Sequence, residues 1–143
     1  QQTDLSINFT QDNEVTSTKG VVRGLHLQTT PHAQAKLIRV VQGQIYDVAL
    51  DLRKDSPTYG KWFGLVLTAK TQTQLFIPKG FAHGYSVLSD TAIVQYKVDG
   101  DYHPESERGV RFDDPNLGID WQVATTIVSD KDLKLPLFKD FQS

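Results

Sequence analysis

The sequence predicts an all-β fold, a jelly-roll barrel of the double-stranded β-helix type. Its short apolar segments are separated by turn signals at the roughly eight- to twelve-residue spacing that is typical of β-sandwiches and barrels. Only residues 129–133 have the pattern of a helical turn, and the chain contains no repeat or linker-like segment. We expect one domain, residues 1–143, whose barrel interior forms a small-molecule pocket.

Each expected strand is an apolar run that ends at a turn signal. In the run at 44–52, Tyr46 and Val48 share one face while Asp47 and Ala49 share the other, because side chains alternate along a strand. A cluster rich in turn-forming residues follows at 55–60, and a tight turn is expected at 78–80. The expected strands are residues 36–41, 44–52, 62–68, 74–77, 85–88 and 92–98.

Composition narrows the classes of function. The net charge is −2, with 15 Lys and Arg against 17 Asp and Glu, and this balance does not favour a surface for nucleic acid or anionic lipid. The chain contains no cysteine, which excludes disulfides, thiolate metal ligands and cysteine nucleophiles. No apolar run reaches the roughly 18 residues of a membrane span, and no signal peptide opens the chain. We therefore expect a cytoplasmic protein that binds neither nucleic acid nor membrane.

Two polar side chains fall on apolar strand faces. Tyr96 shares its face with Val94 and Val98, and Lys36 shares its face with Ile38. A lysine that points into a barrel is costly unless it has a partner or a chemical role. The alternative is that the Lys36 face is exposed and that Tyr96 simply packs in the core.

Four histidines offer acid–base groups, at positions 26, 32, 83 and 103. Metal-binding barrels of this kind commonly present a His-x-His pair on one strand face, and no such pair occurs here. The sequence thus predicts no metal site, and it favours acid–base chemistry by single histidines.

Several short motifs, taken in order, carry a specific resemblance. Together they are similar to the dTDP-4-keto-6-deoxyglucose (dTDP-4-dehydrorhamnose) 3,5-epimerase family of the cupin superfamily. The motifs are QDN at 11–13, RGLH at 23–26, QAKLIR at 34–39, DVALDLR at 47–53, SPTYG at 56–60, IPKGFAHG at 77–84, YK at 96–97 and DPNLGIDW at 114–121.

The resemblance implies a catalytic role for four residues. His26 is expected to remove a proton from the sugar carbon beside the ketone, and Asp132 to orient the imidazole of His26. Lys36 is expected to stabilise the enolate at the C4 oxygen. Tyr96 is expected to return a proton from the opposite face, which inverts the centre. Because Ser129 precedes Asp132 at a capping-box spacing, a purely capping Asp132 and a competing Asp130 both stay open.

The resemblance also implies a substrate and its contacts. The substrate is a nucleotide-diphosphate sugar of deoxysugar biosynthesis, no cofactor is needed, and the protein is a homodimer. Arg23 and His26 are three residues apart and would point to opposite faces of a regular strand, unless a bulge at Gly24 re-aims them. The expected substrate contacts are Arg23 to the diphosphate, His83 in the pocket, and Gln11, Asn13 and Tyr102.

Two further functions remain open from the sequence. A 3,4-ketoisomerase of the same fold would also use histidine bases, and a non-catalytic cupin would bind a sugar or nucleotide without the acid–base pair. Epimerisation is expected at C3, with C5 left open. Family members carry a further amino-terminal segment that helps to grip the nucleotide, so this chain is either a compact relative or a shortened member.

Overall fold

A computed structural model describes residues 7–143, which form nine β-strands. In this part of the chain the helical segments are α1, Asp130–Leu133, and two 3-10 turns, Pro104–Ser106 and Phe138–Asp140. The all-β prediction is therefore confirmed, as is the helical turn near residue 130. The strands are β1 Phe9–Thr18, β2 Val22–Gln28, β3 Lys36–Gln42, β4 Gln44–Asp51, β5 Trp62–Thr68, β6 Leu75–Ile77, β7 Phe81–Val87, β8 Thr91–Asp99 and β9 Glu107–Gly109.

The strands form two antiparallel sheets. The four-stranded sheet has the order β1-β8-β3-β6, and the five-stranded sheet has the order β5-β4-β7-β2-β9. Ile38 and Val94 of the first sheet belong to the same buried hydrophobic cluster as Ile45 and Val87 of the second. The core therefore lies between the two sheets. Within residues 7–143, no helix has the length and apolar character needed to cross a membrane.

Strand β4 is buried on both faces, which the alternating pattern of the sequence did not indicate. It lies between β5 and β7, and every residue from Ile45 to Asp51 is buried. Its even-numbered side chains pack in a second cluster with Phe112, Trp121 and Phe141. The chain after β9 thus covers the outer face of β4, while Asp47 and Ala49 point toward the opposite sheet.

The turn after β4 is held by a buried carboxylate. Asp51 is 1% exposed and accepts hydrogen bonds from the backbone and guanidinium of Arg53. The hydroxyls of Ser56 and Thr58 donate to its Oδ2 at 2.6 and 2.5 Å. Burial alone would raise the pKa of Asp51, but these hydrogen bonds hold it far below its ordinary value. Asp51 therefore serves the turn at 55–60, outside the space between the sheets.

Candidate functional site

Two adjoining cavities lie between residues of the two sheets. They have volumes of about 310 Å³ and 300 Å³, and both are lined by His26, Lys36 and Tyr96. The first cavity also contains Gln11, Asn13, Tyr102 and Glu107. The second also contains Arg23, His83, Lys131 and Asp132. All nine residues that the sequence nominated thus line one cavity or the other.

A bulge in β2 places Arg23 and His26 at the same cavity. Arg23 is paired with Tyr85 of β7 and His26 with His83, so two residues of β2, Gly24 and Leu25, oppose the single residue Gly84 of β7 and the register shifts between them. Gly24, at the shift, has a φ of +121°. A Cβ at Gly24 would lie 2.6 Å from the Cα of Gly84, so the two strands approach too closely for any side chain there. Of the two possibilities that the sequence leaves open, a regular strand or a bulge at Gly24, the bulge is the one observed.

His26 and Asp132 form an imidazole–carboxylate pair. The Nε2 of His26 lies 2.6 Å from Oδ1 of Asp132, whose other oxygen accepts from the backbone N–H of Gly24 at 3.1 Å. Burial would raise the pKa of Asp132, but the hydrogen bond and charge of His26 hold it below its usual range. A carboxylate at Nε2 leaves Nδ1 of the ring as the nitrogen that can take a proton.

The cap of helix α1 explains how Asp132 reaches His26. The hydroxyl of Ser129 accepts a hydrogen bond from the backbone N–H of Asp132 at 3.2 Å. Ser129 therefore supplies the cap, and the side chain of Asp132 points away from the helix, toward β2. Asp132 is 4% exposed, whereas Asp130, its competitor at the sequence level, is exposed on the solvent side.

Lys36 and Tyr96 approach the cavities from the four-stranded sheet. Tyr96 is the partner of Ile38 in the β3–β8 register, so Lys36, two residues from Ile38, lies diagonally across from it on the same face. The Nζ of Lys36 is 5.9 Å from the centre of the Tyr96 ring. These two side chains therefore face His26 across the space between the sheets.

The electrostatic surroundings of these two groups differ. Burial lowers the pKa of Lys36, and the negative charges of Asp47 and Glu107 oppose that shift. Burial raises the pKa of Tyr96, against the opposing charge of Arg23. The phenol of Tyr96 is therefore protonated at neutral pH and can act as a proton donor.

The remaining nominated residues divide between the cavities. In the first, the side-chain amide of Gln11 donates to Asn13 at 3.0 Å, and the hydroxyl of Tyr102 donates to Glu107 at 2.6 Å. In the second, the guanidinium of Arg23 donates to the hydroxyl of Ser17 at 3.0 Å and is otherwise exposed to the cavity. Besides the shared His26, Lys36 and Tyr96, the first cavity thus offers neutral polar groups beside the carboxylate of Glu107. The second offers the cations Arg23 and Lys131 beside the carboxylate of Asp132.

Sequence reasoning missed three residues of the site, which are Glu107, Lys131 and Asp47. Glu107 accepts from both Tyr102 and Lys131, the latter at 3.0 Å, and joins β9 to α1. Asp47 is fully buried, and its Oδ1 lies 2.5 Å from Nε2 of His83. The alternating pattern of the sequence places Asp47 and Ala49 on one face of β4, but it does not indicate that this face points inward.

A group of possible metal ligands lies elsewhere. The imidazoles of His32 and His103 stack with ring centres 3.5 Å apart, and Glu105 completes a set whose ligand atoms lie within 4.8 Å of one another. None of the three lines the two cavities. This group is therefore separate from the site that contains His26.

The arrangement is suited to moving protons on two sides of one small molecule. His26 stands on the five-stranded sheet and Tyr96 on the four-stranded sheet. Lys36 supplies positive charge beside Tyr96. A base, an acid and a cation around one cavity can remove a proton from one face of a carbon, stabilise the resulting oxyanion and protonate the other face.

Comparisons with known proteins agree with this geometry. A family model described as dTDP-4-dehydrorhamnose 3,5-epimerase matches residues 1–140. The dTDP-4-dehydrorhamnose 3,5-epimerase of Shigella flexneri is 50% identical over 134 residues, covering 94% of this chain and 74% of that protein.

Solved structures with the same family name have the same fold. The crystal structure of dTDP-4-dehydrorhamnose 3,5-epimerase from Elizabethkingia anophelis matches with a TM-score of 0.93 and 49% identity, covering 95% of this chain and 75% of that one. The dTDP-6-deoxy-D-glucose-3,5-epimerase of Legionella pneumophila, in complex with dTDP-4-keto-L-rhamnose, matches with a TM-score of 0.92 and 44% identity. That match covers 96% of this chain and 73% of the Legionella chain.

Proposed function

Because this chain belongs to the dTDP-4-dehydrorhamnose 3,5-epimerase family, we propose that it inverts C3 and C5 of a dTDP-linked 4-keto-6-deoxyhexose. Its fold is the cupin-type barrel of that family, and its reaction is an isomerisation in deoxysugar biosynthesis. The observation that supports this most is the facing pair of His26 and Tyr96, on opposite sheets, with Lys36 beside them in the same cavities.

The proposed reaction begins with His26. A hydrogen on a carbon next to the C4 ketone is acidic when the enolate oxygen is stabilised, and the ammonium of Lys36 provides that stabilisation. Nδ1 of His26 takes the proton, and Asp132 stabilises the imidazolium through Nε2. The C–H electron pair moves into the enolate, so no outside oxidant or reductant is needed.

The reaction ends with Tyr96. Its phenol donates a proton to the face of the enolate opposite His26, and the electrons of the enolate return to carbon as the ketone re-forms. Solvent then removes the proton from His26 and restores the one on Tyr96. The same pair serves C3 and C5, because both carbons are adjacent to the C4 ketone.

We further propose how the substrate is oriented. Arg23 contacts the diphosphate from the second cavity, and His83 lines the sugar pocket beside it. Gln11, Asn13 and Tyr102, in the first cavity, contact the nucleoside side. The bound dTDP-4-keto-L-rhamnose in the Legionella relative supports a substrate of this class.

Replacing Tyr96 with phenylalanine tests the two-sided mechanism. Tyr96→Phe removes the phenol proton and leaves the base, so the substrate should still take up deuterium from heavy water at C3. Inversion should slow by about 10²-fold or more, since the proton returns from the side of His26. Proton NMR of the reaction in heavy water measures exchange and configuration together.

The matched control is Tyr59→Phe. Tyr59 packs against Phe138 with ring centres 5.2 Å apart, and it does not line either cavity. This variant should invert the sugar at the native rate. Native inversion by Tyr96→Phe would show that another group is the acid, and absence of exchange in the native protein would refute the epimerase function itself.

We also propose that the protein is a homodimer of single-domain protomers. Strand β5 is an edge strand of the five-stranded sheet, and Phe63 on it is 57% exposed. An apolar edge strand is normally protected, and a second copy of the chain would protect it. Sedimentation equilibrium should give twice the protomer mass.

A further inference from the structure

The starting point is a fully buried carboxylate that the proposed reaction does not use. Asp47 is 0% exposed in the middle of β4, opposite Leu65 of β5 and Tyr85 of β7. Its Oδ1 lies 2.5 Å from Nε2 of His83. Its Oδ2 is buried and has no hydrogen-bond partner among residues 7–143. A buried charged oxygen without a partner is costly, so a purely structural carboxylate would be a poor choice here.

A positive charge that interacts with Asp47 comes from the other sheet, where Lys36 lies on β3. Burial lowers the pKa of Lys36, and Asp47 is the stronger of the two negative charges that oppose this shift, ahead of Glu107. The geometric link is His83, which Asp47 contacts and which lines the second cavity together with Lys36. Asp47 is thus placed to contact His83 directly and to stabilise the positive charge of Lys36.

We propose that Asp47 is a positioning residue of the site, whose buried carboxylate keeps Lys36 an ammonium and fixes the ring of His83. This rests on the proposed function, in which the ammonium of Lys36 stabilises the enolate. A neutral amine at Lys36 would stabilise that oxyanion far less, so the charge of Asp47 matters for turnover although Asp47 itself does not touch the substrate.

Other charged groups also face Lys36 and contribute to its titration. They come from each element around the cavities, and of these His83 and Tyr85 also feel a substitution at Asp47. They are Arg23 and His26 on β2, His83 and Tyr85 on β7, Tyr96 on β8, Glu107 on β9, and Lys131 and Asp132 on α1.

The test is Asp47→Asn, which removes the charge and keeps an oxygen that can meet His83. Lys36 and Tyr96 are both active when protonated, so the deprotonation of Lys36 is one component of the alkaline limb of the rate against pH. Without the negative charge of Asp47 the amine form becomes more favourable, and the alkaline limb should move to lower pH by about one unit or more. The same shift should appear in the ¹³Cε NMR titration of Lys36, which requires no turnover.

Asp51→Asn is the matched control. Asp51 is an equally buried carboxylate on the same strand, four positions on, and its hydrogen-bond partners are Arg53, Ser56 and Thr58 in the segment after β4. Asp51→Asn should lower the thermal midpoint of unfolding and leave the alkaline limb and the Lys36 titration unchanged. If Asp47 had only a structural role, Asp47→Asn would likewise lower the thermal midpoint and leave the alkaline limb and the Lys36 titration unchanged.

Two outcomes overturn the proposal. One is an Asp47→Asn variant whose alkaline limb and Lys36 titration coincide with those of the native chain. The other needs no variant, and so holds even if Asp47→Asn does not fold: a neutral Lys36 in the native chain at pH 7 would show that Asp47 does not hold its charge. The NMR titration therefore tests Asp47, whereas deuterium uptake by the native chain tests the proposed function.

Discussion

His26→Gln should reduce deuterium uptake at C3 and C5 of the substrate by about 10²- to 10⁴-fold. Glutamine is close in size and still offers a polar group to Asp132, but it has no nitrogen that takes a proton near neutral pH. Exchange depends on proton removal alone, so it isolates the step assigned to His26 from the step assigned to Tyr96. Proton NMR of the substrate in heavy water, at saturating substrate, gives the rate at each carbon.

The chain offers a control with a similar pair of groups. Nδ1 of His103 lies 3.2 Å from Glu105, so His103 is also an imidazole beside a carboxylate, but neither residue lines the two cavities. His103→Gln should exchange deuterium within about twofold of the native rate, as expected for a surface substitution. A His26→Gln variant that keeps native exchange would mean that the base lies elsewhere.

Much of the fold follows from local sequence patterns. The apolar runs that predict strands lie on β3 to β8, whose inward faces form the core. Strand β1, Phe9–Thr18, is harder to predict because it is a polar edge strand held mainly by its ladder with β8. Strand β9 has three residues and no periodicity to detect. Pattern reasoning therefore identifies six strands by their apolar runs and misses β1 and β9, which pairing defines. It also misses β2, although most of that strand is buried.

The site was predictable where it depends on strand periodicity. The positions of Lys36 and Tyr96 are predictable because each shares a face with buried aliphatic residues, and both do point between the sheets. Arg23 and His26 required the resemblance, since a regular strand would have separated them. The register shift that brings them together depends on β7, a partner far away in the sequence.

The carboxylates of the site show the limit of local reasoning. Asp132 and His26 are 106 positions apart, and their contact exists only because α1 packs against β2. The alternating pattern assigns Asp47 to one face of β4 but does not show that this face is buried, because the burial of both faces of β4 is a tertiary property. Glu107 lies on a three-residue strand, where its contacts with Tyr102 and Lys131 leave no signal in sequence.

Lys36→Met should separate catalysis from stability more sharply than any other single substitution in the site. Methionine keeps the length and apolar character of the stem but removes the ammonium, and with it the stabilisation of the enolate. Loss of one oxyanion-stabilising group costs about 10²- to 10³-fold in turnover. We expect a fall of that size in kcat, measured with the dTDP-linked 4-keto-6-deoxyhexose.

Whereas kcat should fall in Lys36→Met, its free energy of unfolding should rise or stay the same. Burial already lowers the pKa of Lys36, which means that the folded protein holds this charge at a cost. Removing the charge removes that cost, so urea denaturation of Lys36→Met should give a stability equal to or above that of the native chain. A residue kept only for packing would show the opposite pattern, with lower stability and native turnover.

Lys97→Met is the control for the loss of a lysine. Lys97 follows Tyr96 on β8, points to the outer face and forms an ion pair with Asp12 at 2.9 Å. Because that pair is exposed, its loss should change stability by less than about 1 kcal/mol and turnover by less than about twofold. Equal losses of turnover in Lys36→Met and Lys97→Met would contradict a specific role for the inward ammonium, since only one of the two faces the cavities.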